Sequence, residues 1–158
     1  MKVLAIIPAR SGSKSIKDKN IQSFFGKPLL VHSIEHALES KLINRVILST
    51  DSEVYARIGR QAGAEVPFLR PAEIAQDFST DLEVFQHALS YLSEQESYIP
   101  DIVVHLRPTT PVRIVDDIDQ MIMLLYNAPH SDCIRAIYKL KDTPFKMWFK
   151  GEGHTIVP

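Results

Sequence analysis

Positions 8–20 read Pro-Ala-Arg-Ser-Gly-Ser-Lys-Ser-Ile-Lys-Asp-Lys-Asn, which gathers four cations, three serines and one glycine into a single short segment. A phosphate site needs backbone N–H groups that can approach the anion and fixed positive charge beside it. Gly12 permits the approach, and Ser11 and Ser13 add hydroxyl donors. Arg10 can grip phosphate oxygens with two donors, whereas Lys14 and Lys19 act as point charges. The segment lacks both GxxxxGK[ST] and GxGxxG, so it matches neither an ATP-hydrolysing phosphate loop nor a dinucleotide fingerprint.

Further candidates follow at intervals. Arg70 precedes Pro71 and is another cation that could face an anionic ligand. Asp77, Ser79 and Asp81 follow in the same loop, with Ser79 or Thr80 suited to cap a helix. Asp51 could bind a ribose hydroxyl or a metal, or cap a helix starting at Ser52. In Arg107-Pro108-Thr109-Thr110-Pro111, two prolines restrict the backbone and leave an arginine and two hydroxyls free for a ligand. Arg113 could serve the same anionic site. Asp116, Asp117 and Asp119 read as helix-start acids favoured by the dipole. His32 and His36 are four apart on a predicted helix, but they lack the Glu of HExxH and an evident third ligand. No nucleophile-elbow motif supports a hydrolase triad.

These residues need a frame. Residues 2–7, 45–49 and 101–106 read as buried strands, and 65–69 as a short strand. Helices are expected over 28–42, with Leu30, Ile34 and Leu38 on one face, and over 52–62, with Val54, Ile58 and Ala62 aligned and Gly63 as the stop. Thr80-x-x-Glu83 has capping-box spacing and opens a helix with Leu82, Phe85, Leu89 and Leu92 inward. Val115, Ile118, Ile122 and Leu125 mark another helix. Residues 132–140 read as a strand, and 145–150 with 154–157 as a hairpin around Gly151-Glu152-Gly153. The alternation predicts an α/β fold of three layers, a mostly parallel sheet with helices on both faces. Ligands of such sheets bind beyond the carboxyl ends of the strands. The loops there, 8–20, 50–51, 70–81 and 107–113, are the chemically loaded ones.

The 158 residues carry 18 basic and 19 acidic side chains, with 45% hydrophobic and 23% charged residues. That is an ordinary globular composition for one domain, not a disordered or low-complexity chain. A net charge of -1 gives no footprint for bulk nucleic-acid or membrane-surface binding. The apolar run at the N-terminus is too short for a membrane span and meets Pro8, so it reads as a first strand and not a signal peptide. The single cysteine, Cys133, excludes an internal disulfide and is expected as a small buried hydrophobe. A cytoplasmic location is the corresponding expectation.

Ile7-Pro8-Ala9-Arg10-Ser11-Gly12-Ser13-Lys14 with Lys19-Asn20 resembles the nucleotide-binding signature of the acylneuraminate cytidylyltransferases, the CMP-sialic acid synthetases and their relatives. Phe25-Gly26-Lys27-Pro28-Leu29-Leu30 is similar to a segment shared with the CMP-KDO synthetases. Ser49-Thr50-Asp51, residues 69–77 and residues 106–113 continue the resemblance in order along the chain. It implies a Rossmann-like nucleotide-diphospho-sugar transferase fold and transfer of CMP from CTP to an acidic nine-carbon sugar, with release of pyrophosphate. Arg10 and Lys19 would be catalytic. Ala9, Arg10, Ser11, Gly12, Ser13, Lys14, Lys19, Asn20 and Arg70 would bind the nucleotide, Arg70 on its cytidine side. Arg107, which stands where some relatives carry glutamine, would face the sugar with Thr109 and Lys146. Mg2+ is implied as cofactor and a homodimer as the assembly. Relatives continue past the region matching Lys146 with more of a dimerisation segment, an Asn-Gly-Ala strand and two metal-binding aspartates. The expectation is therefore one domain over 1–158, truncated at its C-terminus, with 140–158 starting a dimerisation hairpin and no metal ligand assigned. A non-catalytic nucleotide-binding or assembly fragment and a KDO-type cytidylyltransferase are the alternative readings.

Overall fold

The computed structural model describes residues 1–137, 149–150 and 156–157. The first apolar run forms strand β1 (Val3–Pro8). A short antiparallel pair, β2 (Ser23–Phe24) and β3 (Lys27–Pro28), precedes helix α1 (Leu29–Glu39). Its turn residues Phe25 and Gly26 both have positive φ, 46° and 79°, the pattern of a type I′ hairpin. Then come β4 (Arg45–Ser49), α2 (Glu53–Gln61), α3 (Asp81–Glu96), β5 (Ile102–His105) and α4 (Val115–Tyr126). Two further short strands, β6 (Phe149–Lys150) and β7 (Ile156–Val157), pair antiparallel.

The main sheet has the order β4-β1-β5 and is parallel, with Ile7 beside Leu48 and Ile6 beside His105. Side chains of β1 alternate between two cores. Val3, Ala5 and Ile7 pack with Leu30 and Ile34 of α1, Tyr55 of α2, and Ile118 and Ile122 of α4. Leu4 and Ile6 pack on the other face with Ala88 and Leu92 of α3. Residues 3–7 are all fully buried, as a central parallel strand requires. Each such Val, Leu or Ile contributes about 1.5–3 kcal/mol relative to exposure. β1 therefore outweighs the surface ion pairs, worth about 0–1 kcal/mol each. Gly59 lets α2 lie close on the sheet, since a Cβ there would overlap the Leu48 side chain.

Several expectations are corrected. Residues 65–69 make only a one-residue bridge, Ile47 with Glu65. Pro67 has no N–H to continue that ladder. Helix α1 begins after Pro28 and ends before Ser40, whose hydroxyl accepts from the Leu42 and Ile43 amides and turns the chain. On α2 the inward residues are Tyr55, Ala56 and Gly59, while Val54 is exposed. Leu38 and Leu82 are exposed as well, because Ala37 and Val84 occupy the inner stripes. Residues 132–137 form no strand and are exposed, Cys133 included, with no sheet neighbour among the described residues to pair with. The strand expected over 138–140 and the Gly151-Glu152-Gly153 turn lie outside the described residues. Among the described residues no helix is long and apolar enough to cross a membrane.

Candidate functional site

Beyond the carboxyl ends of β1 and β5 lies a cleft of about 440 Å³. Its walls are Pro8, Arg10, Ser13, Lys19 and Asn20 from the loop after β1, Arg70, the residues Ser79, Thr80, Asp81 and Val84 around the start of α3, and Arg107, Pro108 and Thr109 after β5. Four cations thus face one carboxylate along the lining.

The loop after β1 is braced at several points. Ala9 is fully buried, and its N–H donates to the Ser49 carbonyl at 3.0 Å, which fixes where the chain leaves the sheet. Asp51 accepts the Ser11 N–H at 2.7 Å and the Ser11 hydroxyl at 2.6 Å. Asn20, buried, donates its amide to the Arg10 carbonyl at 3.0 Å and closes the loop on itself. The Tyr55 hydroxyl donates to Asp18 at 3.2 Å. Burial first, then the Asp18 charge, pushes that phenol up to about 12. Gly12 has φ 67° in the left-handed region, and a Cβ there would meet open space. Backbone conformation, not crowding, therefore demands glycine.

The cations are held in two ways. Arg70 is 5% exposed and donates to the Ser49 hydroxyl at 3.1 Å and to the Ser49 carbonyl. Among the described residues no carboxylate lies within ion-pair distance of it. Burial pushes its guanidinium down to about 10, so it remains charged at neutral pH. Arg10, in contrast, donates to Asp77 at 2.8 Å, and Lys14 meets the other oxygen of the same carboxylate. Arg107 pairs with Asp81. Arg113 donates to the Ser33 hydroxyl at 3.1 Å and to the Arg107 carbonyl, which also accepts from Ser33. It supports the backbone of the Arg107 loop, and its burial lowers its proton affinity.

Of the residues expected at the site, Arg10, Ser13, Lys19, Asn20, Arg70, Arg107 and Thr109 share the cleft. Ala9, Ser11, Gly12 and Lys14 do not line it, and Ser11's donors are both engaged by Asp51. Lys146 lies outside the described residues. Ser52, not Asp51, caps α2, and Thr80 with Glu83 forms the capping box of α3. His32 bonds the Phe24 carbonyl at 2.7 Å, and no group of three or more metal-ligating side chains occurs among the described residues. The roles of Asp51, Asp77 and Asp81 as partners were missed. Their signal was acidic loop residues at the same sheet edge as a basic loop.

Residues 4–146 match the protein family described as Cytidylyltransferase. The N-acylneuraminate cytidylyltransferase of Escherichia coli O18:K1:H7 (strain RS218 / NMEC) is 39% identical over 136 residues, 86% of this chain and 31% of that protein. The pseudaminic acid cytidylyltransferase of Campylobacter jejuni serotype O:2 is 42% identical over 120 residues, 76% of this chain and 51% of that protein. Among solved structures, a CMP:2-keto-3-deoxy-manno-octonic acid synthetase complexed with CTP superposes with a TM-score of 0.68 at 20% identity, over 82% of this chain and 49% of that one, a likeness of fold. The chain spans about a third to a half of the length of the curated relatives it matches. With the cleft at the carboxyl edge of a parallel sheet and the match running through almost all of that sheet, the chain belongs to the cytidylyltransferase family.

Proposed function

We propose that this chain is the CTP-binding core of an enzyme that transfers CMP to an acidic nine-carbon sugar of the nonulosonic class and releases pyrophosphate. The observation that carries the reading is the cleft itself, in which Arg10, Lys19, Arg70 and Arg107 converge and the buried Arg70 donates to neutral oxygens of Ser49. Such a floor suits an anionic or carbonyl-bearing ligand better than a neutral apolar one. The relatives named for N-acylneuraminate and pseudaminic acid support the sugar class.

In this reading the sugar's anomeric hydroxyl oxygen attacks the α-phosphorus of CTP. The bond from that phosphorus to the bridging oxygen of the β-phosphate breaks, pyrophosphate leaves, and the hydroxyl proton passes to solvent or a base. The protein's contribution is position and charge neutralisation. Arg10 and Lys19 act as the catalytic cations on the triphosphate, assisted by Lys14. Gly12 and Ser13 shape the loop around it, and Ser11 holds that loop through Asp51. Asn20 turns towards nucleotide oxygens, and Arg70 meets the cytidine side. Arg107, Thr109 and Lys146 serve the sugar, with Arg107 suited to its carboxylate. Magnesium is proposed as the companion of the triphosphate. The described residues contain no group of three or more His, Cys, Asp or Glu side chains placed to hold that ion. A cytoplasmic homodimer belongs to the same proposal, the single cysteine being compatible with a reducing compartment.

The test combines calorimetric CTP binding with pyrophosphate release from CTP and magnesium over a panel of acidic sugars. Release with a nine-carbon acid is expected. Release with the eight-carbon KDO alone would move the sugar assignment. CTP binding without release for any sugar would reduce the reading to a nucleotide-binding or assembly unit. Light scattering tests the dimer.

A further inference from the structure

Asp77 is the one acid that touches the cations of the phosphate loop among the described residues, and it does so from 67 residues away. One carboxylate oxygen takes Arg10 at 2.8 Å and the other takes Lys14. Two cations on two oxygens of one anion is the arrangement a phosphate group would make with the same pair. The carboxylate sits on a loop with its own internal support, since the Gln76 amide bonds the Ser79 hydroxyl at 2.9 Å and the Gln76 side chain bonds the Ala72 carbonyl at 2.9 Å. Between them, Phe78 is 97% exposed, so no apolar anchor fixes the tip. Lys14 is 83% exposed, and its pairing with Asp77 is weak by nature.

We propose that Asp77 is the resident counter-ion of the phosphate subsite and a determinant of its specificity: a ligand must bring a polyanionic end to displace it from Arg10 and Lys14. This rests on reading the cleft as a nucleotide site. A polyphosphate offers several oxygens to both cations at once and replaces the carboxylate at a modest cost. A singly charged group offers no more than Asp77 already does and does not compete. The uncharged nucleoside does not meet these cations and is indifferent to Asp77.

The experiment compares the unaltered chain with Asp77→Asn and Asp77→Ala, titrated with CTP, pyrophosphate and cytidine at one pH and ionic strength. CTP and pyrophosphate are expected to bind both variants roughly three- to fivefold more tightly, the scale of one exposed ion pair, with cytidine unchanged. Unchanged or weaker pyrophosphate binding overturns the proposal. So does equal tightening of cytidine, which marks a general loosening of the loop, and so does no pyrophosphate binding by any of the three chains. Tighter pyrophosphate binding, with CTP bound no better than pyrophosphate, supports Asp77 as counter-ion and overturns the nucleotide reading. CTP binding by the unaltered chain with no gain in either variant does the reverse.

Discussion

The floor and the rim of the cleft hold their arginines in opposite ways. On the floor, Arg70 is buried and bonded to neutral oxygens of Ser49. On the rim, Arg10, Lys14 and Arg107 are each on a carboxylate and far more exposed. The floor has met the desolvation of its charge during folding and keeps the guanidinium fixed before a ligand arrives. The rim keeps its charges neutralised until something displaces Asp77 or Asp81. Preorganised charge gives affinity, whereas paired charge gives selectivity among competitors.

That contrast fixes an order of effects. Arg70→Ala should cost the most, about 3 kcal/mol of CTP affinity by calorimetry, and Arg70→Lys should not restore it, because a point charge cannot reproduce the two-donor hold on Ser49. An Arg70→Ala loss no larger than the Arg10 loss would break the contrast. Arg10→Ala should weaken CTP binding by about 1.5 kcal/mol or somewhat more, since the wild-type arginine must first leave Asp77. Unchanged affinity would assign Arg10 to the solvated surface. Asp51→Asn should cost about 1 kcal/mol of CTP affinity by releasing Ser11, with the fold intact by circular dichroism.

The smallest effect concerns pH. Lys14 first, then Arg10, holds the Asp77 carboxyl below the usual carboxylate range. A depressed value means that the contact is fully present above that range and is lost as pH falls through the depressed value. Carbon-detected NMR titration should find Asp77 below the ordinary aspartates, and added CTP should return it upward. A midpoint that CTP does not move would remove the distinction between rim and floor.

How much of this was readable in the residues depends on range. The apolar runs of β1, β4 and β5 announce buried parallel strands, because a strand covered on both faces needs no alternation. The loops at their carboxyl ends follow from that topology. The floor is harder to read: Arg70 looks like any surface arginine until Ser49, 21 residues earlier, is brought beside it. The pairing of Ser11 with Asp51 spans 40 residues, and both side chains had plausible local uses. Residues 65–69 failed as a strand because Pro67 cannot donate, a signal that was present and outweighed by apolar composition. On α2 the inward stripe was misplaced because its small residues Ala56 and Gly59, not its aliphatic ones, face the sheet.

Tyr55 carries one more consequence. Its ring is 2% exposed in the core, and its hydroxyl reaches Asp18, which adopts φ 51°. Swinging Asp18 away would strand a phenolic oxygen beneath the surface, at a cost of about 1–3 kcal/mol. With Asp51 gripping Ser11 at the other end, the loop has two posts, and the span between them is held by the exposed Lys14–Asp77 pair and by the Ile16 carbonyl, which accepts the Lys19 N–H at 3.2 Å. Amide exchange should be faster in that span than at the posts, so the loop's travel is limited by Tyr55 on helix α2 and by Asp51, two residues past the end of strand β4.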